Sequence, residues 1–255
     1  MSLGKSPAVV IGSFPLGESD RVVTFFSREY GKVRGVARAA RRPRSRFMGS
    51  LELFTVGELM FFDTGRSDLL RIDHFDVLRP LARLREDLQR LGHASWIVEC
   101  VARLTADRDP HAALYGLLTR SLRMMETAPA GRVAVCFVAR SLDVLGHRPR
   151  LDRCVECGRR APFARARLGE EGLVCEACAP GLPGLAPISS AAIAAFEHVR
   201  AAAWDEAIGA PLGRMEGELK TVLEAHMTRL IGQAPRATKF LREVRRLSEI
   251  TGERE

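Results

Sequence analysis

No part of the 255-residue chain stays apolar for the roughly 20 residues needed to cross a bilayer. The opening, MSLGKSPAVVIGSFPLGESD, has a short apolar run but no signal-peptide cleavage pattern, and acids follow at once. A cytoplasmic protein that makes no membrane contact is expected. The phosphate-cradling G-x-x-x-x-G-K-[ST] and G-x-G-x-x-G patterns are missing, as are G-x-S-x-G and H-E-x-x-H. None of the six histidines is followed by x-Glu, which excludes the zinc-deaminase signature. The acids are scattered, whereas metal-dependent nucleases need them clustered. Glu18-Ser19-Asp20 reads as a turn whose side chains bond the local backbone. No repeat or low-complexity tract occurs. The chain is not expected to be an enzyme.

What is abundant is positive charge. The formal charge is +8 and the pI about 9.7, on an ordinary globular composition of 46% apolar and 27% charged residues. Such a balance favours a polyanionic partner, with nucleic acid ahead of an anionic membrane. Clustering says more than the total. Residues 32–46, KVRGVARAARRPRSR, hold Lys32, Arg34, Arg38, Arg41, Arg42, Arg44 and Arg46 without one acid. A second cluster spans residues 148–167, with Arg148, Arg150, Arg153, Arg159, Arg160, Arg165 and Arg167 against Asp152 and Glu156.

The first eighty residues read as short strands at 7–14, 21–27, 32–39, 53–64 and 69–78, rich in Val, Ile, Phe and Thr and punctuated by turn residues. Five strands at this spacing predict an OB-type barrel, with an SH3-like barrel as the competitor. From Pro80 the period becomes helical: 81–106, 112–126, 131–146, a helix capped by Ser189 or Ser190, 214–232 and 238–250. In 81–106 the apolar stripe is Leu81, Leu84, Leu88, Leu91, Ser95, Val98 and Ala102. The fold class is α+β and multidomain. An OB-fold DNA-binding domain over 1–80 is followed by an α-helical domain over 81–255, with a zinc-binding insertion over 148–180.

Four of the six cysteines form Cys154-x-x-Cys157, then seventeen residues, then Cys175-x-x-Cys178, the spacing of a four-cysteine zinc site. Gly158 suits the positive φ of a thiolate turn. The intervening segment reads as loop, so metal binding would supply its folding energy. Four thiolates leave no open position, which makes the single zinc structural rather than catalytic. With the ion bound, the formal charge falls to about +6. The arginines around the site serve either to offset that negative charge or as an auxiliary nucleic-acid surface. Cys100 and Cys136 read as buried small hydrophobes, and His147 as a ligand that four cysteines make unnecessary.

If residues 32–39 are a strand, Lys32, Arg34 and Arg38 share one face while Val33, Gly35, Ala37 and Ala39 share the other. A helix would also align Arg34, Arg38, Arg41 and Arg42, but Gly31 and Gly35 favour the strand. ARRPRSRF is then a basic loop on a rigid barrel, with Phe47 and Tyr30 as aromatics for base stacking. Cations tracking phosphates beside stacking rings describe sequence-independent binding of single strands. The plainer alternative is a solvated face kept for solubility.

The run GESDRVVTFFSREYGKVRGVARAARRPRSRF, followed by LELFTVGEL, resembles the opening of the bacterial recombination mediator family RecO. The order of barrel, helical domain, C-x-x-C…C-x-x-C insertion and final helices is similar too, as is KFLREV near the C-terminus. Ahead of Phe240 this chain carries only Arg236 and Lys239, fewer cations than the family often has there. The resemblance implies binding of ssDNA and dsDNA and annealing of complementary strands, including strands coated by single-strand-binding protein (SSB). It also implies RecR as the partner in loading RecA, and docking of the SSB C-terminal tail on the helical domain. Two other classes remain open: a protein–protein adaptor steered by charge, and a zinc-ribbon RNA-binding protein.

Overall fold

The structure, a computed structural model, describes residues 2–65 and 67–251, and it divides into two compact units, 1–127 and 128–255. The first unit is built on β1 (Ser2–Leu16), β2 (Asp20–Ser27), β3 (Gly31–Ala37), β4 (Val56–Asp63) and β5 (Leu70–Arg79). These close into a barrel in the order β1-β2-β3-β5-β4. Every pairing is antiparallel except the short β3–β5 closure, where Gly35 lies opposite Leu70. A Cβ on Gly35 would lie 2.2 Å from the Ile72 side chain, so only glycine allows the sheet to close this tightly. β1 serves both neighbours. Its first half pairs with β4 and its second with β2, and a register shift between Val10 and Gly12 bends it from one to the other.

Period-2 alternation fills the barrel. On β3, Val33, Gly35 and Ala37 are buried while Arg34 is exposed and Lys32 half-buried, the alternation expected of a strand. Phe25 and Phe75 meet across the interior at 5.1 Å between ring centres. Among the described residues, no helix is long and apolar enough to cross a membrane.

Three helices complete the first unit: α1 (Arg83–Glu86), α2 (Leu88–Leu104) and α3 (Ala112–Met124). The sequence predicts one helix over 81–106, but the chain breaks at Asp87. That residue is extended (φ −124°, ψ 126°), and its carboxylate accepts a 2.7 Å bond from the Arg90 N–H. An N-cap here outweighs continuous periodicity. Leu88 is left 54% exposed at the break, whereas Leu81, Leu84 and Val98 of the expected stripe are buried, Val98 together with Trp96, Ile97, Cys100 and Val101.

The second unit comprises α4 (Ala130–Val144), a sheet of β6 (Ala166–Leu168), β7 (Leu173–Cys175) and β8 (Ala186–Ile188), then α5 (Ser190–Ala201), α6 (Trp204–Gly209), α7 (Arg214–Ile231) and α8 (Arg236–Thr251). Helix α4 is the centre of this unit: Val133 through Ala139 are fully buried. Arg132 at its start donates a 2.6 Å bond to the Ala210 carbonyl and so satisfies the end of α6. Ser189 caps α5, accepting from Ala192 N–H at 3.1 Å, as expected. The segment between the cysteine pairs, expected as loop, contains β6 and β7. β8 adds beside β6 in the order β7-β6-β8.

Candidate nucleic-acid interface and metal centre

The basic run divides into two parts. The β3 cations point toward the segment that follows α2. Lys32 Nζ donates to the carbonyls of Ala102 at 2.6 Å and Thr105 at 2.7 Å, and lies 3.2 Å from Asp107. These carbonyls sit at the C-terminal end of α2, where the helix dipole favours a cation. Arg34 reaches the same Asp107 at 3.1 Å. Backbone pairing reinforces the joint, since Arg108 N–H donates to the Lys32 carbonyl at 2.8 Å. Lys32 thus holds the barrel to α2, and Asp107 is the acid that the sequence pattern of residues 32–46 did not show.

Residues 38–46 are different. After Ala37 the chain leaves the sheet and runs through consecutive turns, with Arg42, Ser45, Met48 and Ser50 each donating a backbone N–H to the carbonyl three residues earlier. Arg38, Arg41, Arg42, Arg44 and Arg46 are all exposed. Two contacts fix where this loop starts. The Asp20 carboxylate accepts the Ala39 N–H at 2.8 Å, and Ser19 O accepts the Arg41 N–H at 2.9 Å. The Ala39 N–H, then the Ser19 hydroxyl, hold the Asp20 carboxyl below its usual range, aided by Arg38 and Arg42. Arg41 also donates to the Gly17 carbonyl at 3.0 Å.

Phe47, expected as a stacking ring, is 3% exposed and packs in the barrel core with Leu51. A buried ring cannot receive a base. It acts instead as the plug that pins the basic loop to the barrel end, with the Arg46 guanidinium 5.0 Å over its ring centre. Tyr30 packs edge-on against Phe61 at 5.1 Å and is 38% exposed.

The second cluster is partly neutralised. Arg148 pairs with Glu197 at 2.9 Å, Arg153 with Asp152 at 2.9 Å and Arg165 with Glu176 at 3.5 Å. Arg150, Arg159, Arg160 and Arg167 are exposed.

The four cysteines converge. The Sγ atoms of Cys154, Cys157, Cys175 and Cys178 all lie within 4.8 Å of one another, with Cys157 and Cys175 3.8 Å apart. A tetrahedral thiolate site with metal–sulfur bonds of ~2.3 Å has edges of ~3.8 Å, so this cluster can hold one metal ion. Burial pushes the Cys154 thiol up, but the N–H groups of Cys175, Cys157 and Glu156 outweigh it and bring it down to about 6. The Cys178 thiol is driven up to about 12, chiefly by hydrogen bonds to the Cys175 and Cys157 sulfurs. Four sulfurs this close cannot all ionise without a counter-charge, which a divalent cation provides. Gly158 closes the first turn at φ 73°, and Val174, Phe163 and Leu185 pack around the cluster. His147 is not among the clustered residues. Cys100 and Cys136 are buried as expected, and burial raises the Cys136 thiol to about 11.

A closed five-stranded barrel carrying an anchored arginine loop, joined to a helical unit with a four-thiol centre, defines a two-part scaffold. The chain belongs to the recombination protein O family. The family's N-terminal profile matches residues 1–81 and its C-terminal profile residues 85–239. A protein of Anaeromyxobacter dehalogenans (strain 2CP-C), named DNA repair protein RecO, is 37% identical over 249 residues, covering 94% of this chain and 96% of its own length. Proteins of the same name from Myxococcus xanthus and Desulfitobacterium hafniense (strain DSM 10664 / DCB-2) are 36% and 34% identical, over 67% and 70% of this chain and 70% and 65% of their own lengths.

Proposed function

We propose that this protein is a DNA repair and recombination mediator that works without covalent chemistry. It binds single- and double-stranded DNA irrespective of sequence through Arg38, Arg41, Arg42, Arg44 and Arg46. Lys32 and Arg34 act behind them, fixing the strand from which the loop springs. The observation that carries this reading is the loop itself: five exposed guanidinium groups in nine residues, held by tight turns and an apolar plug. Guanidinium groups displace counterions from phosphates and form paired bonds to their oxygens. A preorganised row of them screens the repulsion between two strands and lets complementary bases meet.

In this account the protein anneals complementary strands, including strands coated by SSB whose C-terminal tail docks on the helical unit, and acts with RecR to load RecA. The 1–80 barrel is the DNA-binding domain, and 148–180 is a zinc element within the helical domain. Zinc is the ion the donor set favours, because four thiolates in a tetrahedron suit a soft, redox-inert cation. Bound there, it supplies folding energy to a small sheet and offers no open position to a substrate.

The test is annealing of complementary oligonucleotides pre-coated with SSB. Native protein accelerates the reaction, and the R41A/R42A/R44A/R46A variant does not. Failure of the native protein to accelerate annealing, together with a preference for structured RNA over DNA, would replace this reading with the RNA-binding one.

A further inference from the structure

A second group of cations lies on the first unit, away from the loop sequence. Arg79, the last residue of β5, Gly116, Thr119, Arg120 and Arg123 of α3, and Glu126 just beyond it line a recess of about 630 Å³. Gly116, Arg120 and Arg123 are spaced i, i+4 and i+7, so they share one face of α3. Arg79 faces them from the sheet. All three arginines are exposed, and Arg79 and Arg123 take part in no ion pair among the described residues.

Gly116 is an independent pointer. Mid-helix glycine costs about 1 kcal/mol relative to alanine, so internal crowding would be the ordinary reason for it. Nothing lies within 4 Å of where its Cβ would stand, and no packing inside the protein requires it. The missing side chain leaves open space one turn before Arg120 on the same helix face.

The recess lies where the chain returns to the barrel after the basic loop. Arg79 lies opposite Val56, the first residue of β4, onto which the loop returns. Arg85 ties the two together, donating to the carbonyls of Leu53 at 2.6 Å and Pro80 at 3.0 Å.

We propose that Arg79, Arg120 and Arg123 form a second phosphodiester-binding site, which grips the backbone of the same nucleic acid strand after it leaves the arginine loop. This rests on the DNA-binding reading above and deepens it: the track has two stations. Phosphate oxygens are the shared chemistry, and a free phosphate or a polynucleotide could supply them. The exposed arginine loop on the same unit favours the polynucleotide.

The test uses the full chain and fluorescence anisotropy with a short single-stranded oligonucleotide and one several times longer, across a salt series. The R79A/R120A/R123A variant should bind the long strand more weakly and lower the slope of log K against log salt by about 2, at roughly 0.7 per phosphate contact. Its affinity for the short strand should hold. Gly116→Glu, whose Cβ would meet no protein atom, should weaken long-strand binding in the same way while unfolding no lower than the native protein. Unchanged affinity and slope in both variants, with the R41A/R42A/R44A/R46A variant impaired, would overturn this site and leave the loop reading intact. A native protein that binds no DNA would remove the loop reading and this site together. Thermal stabilisation by inorganic phosphate alone, lost in R79A/R120A/R123A without change in DNA affinity, would assign the recess to free phosphate and overturn its place on the track.

Discussion

The Asp20 carboxylate accepts the Ala39 backbone N–H at 2.8 Å, and this bond fixes the point at which the chain leaves β3 and the arginine loop begins. Ala39 is held at φ 55°, a left-handed conformation that a non-glycine residue keeps only when its surroundings impose it. Asp20→Ala should therefore loosen residues 38–46 while leaving the barrel strands paired. Limited trypsin digestion is the check, and cleavage after Arg41, Arg44 and Arg46 should accelerate, Arg42 being protected by the Pro43 that follows it. Because the Asp20 carboxyl titrates below its ordinary value of 3.8, the native contact is complete above that pH. It is lost as pH falls through the lower folded value, so the native loop should become cleavable by an acid protease only below pH 3.8.

Phe47 tests whether its ring is an anchor or a stacking platform. Phe47→Ala empties a buried site and should cost about 3–5 kcal/mol in chemical denaturation. Phe47→Leu should recover most of that and bind DNA normally, since an anchor needs volume rather than a π face. Loss of DNA binding in a stably folded Phe47→Leu protein would restore the stacking role.

The thiol centre should hold one zinc per chain by elemental analysis. Chelation, or Cys175→Ser, should release the ion and speed amide exchange in β6, β7 and β8. Each strand is only three residues long, and Val174 and Cys175 of β7 pack in the thiol cluster itself. Barrel amides should exchange as before.

His226 on α7 is fully buried, with Nε2 3.4 Å from the His147 carbonyl. Burial, opposed in part by that contact, lowers its pKa below the ordinary 6.5. The unfolded chain therefore binds a proton that the folded one refuses. Stability from this source is complete above pH 6.5 and falls as pH drops through the window below it. Comparing native protein with His226→Gln by urea denaturation from about pH 7.5 to about pH 5 isolates the effect, and the variant should show the shallower loss.

Much of this architecture is legible in the residues. Alternation on β3, the five strand positions, the Ser189 cap and the cysteine spacing all follow from local rules. What is not legible depends on contacts distant in sequence. Lys32 looks like a surface cation until the end of α2 folds onto it seventy residues later. Phe47 looks like an exposed ring at the tip of a basic loop until the barrel end closes over it. β8 contains Pro187, a poor strand former, and pairs only because β6 offers an open edge opposite it at Arg167. The Arg79–Arg120–Arg123 group is drawn from two elements far apart in sequence and has no pattern in the chain.

Whether the loop arginines grip the phosphate backbone shows in the salt dependence of single-strand affinity. Removing Arg41, Arg42, Arg44 and Arg46 together should weaken binding to every sequence alike and reduce the slope of log K against log salt by about 3, four contacts at roughly 0.7 each. A variant that keeps the native affinity and slope would contradict the account and place the DNA elsewhere on the protein.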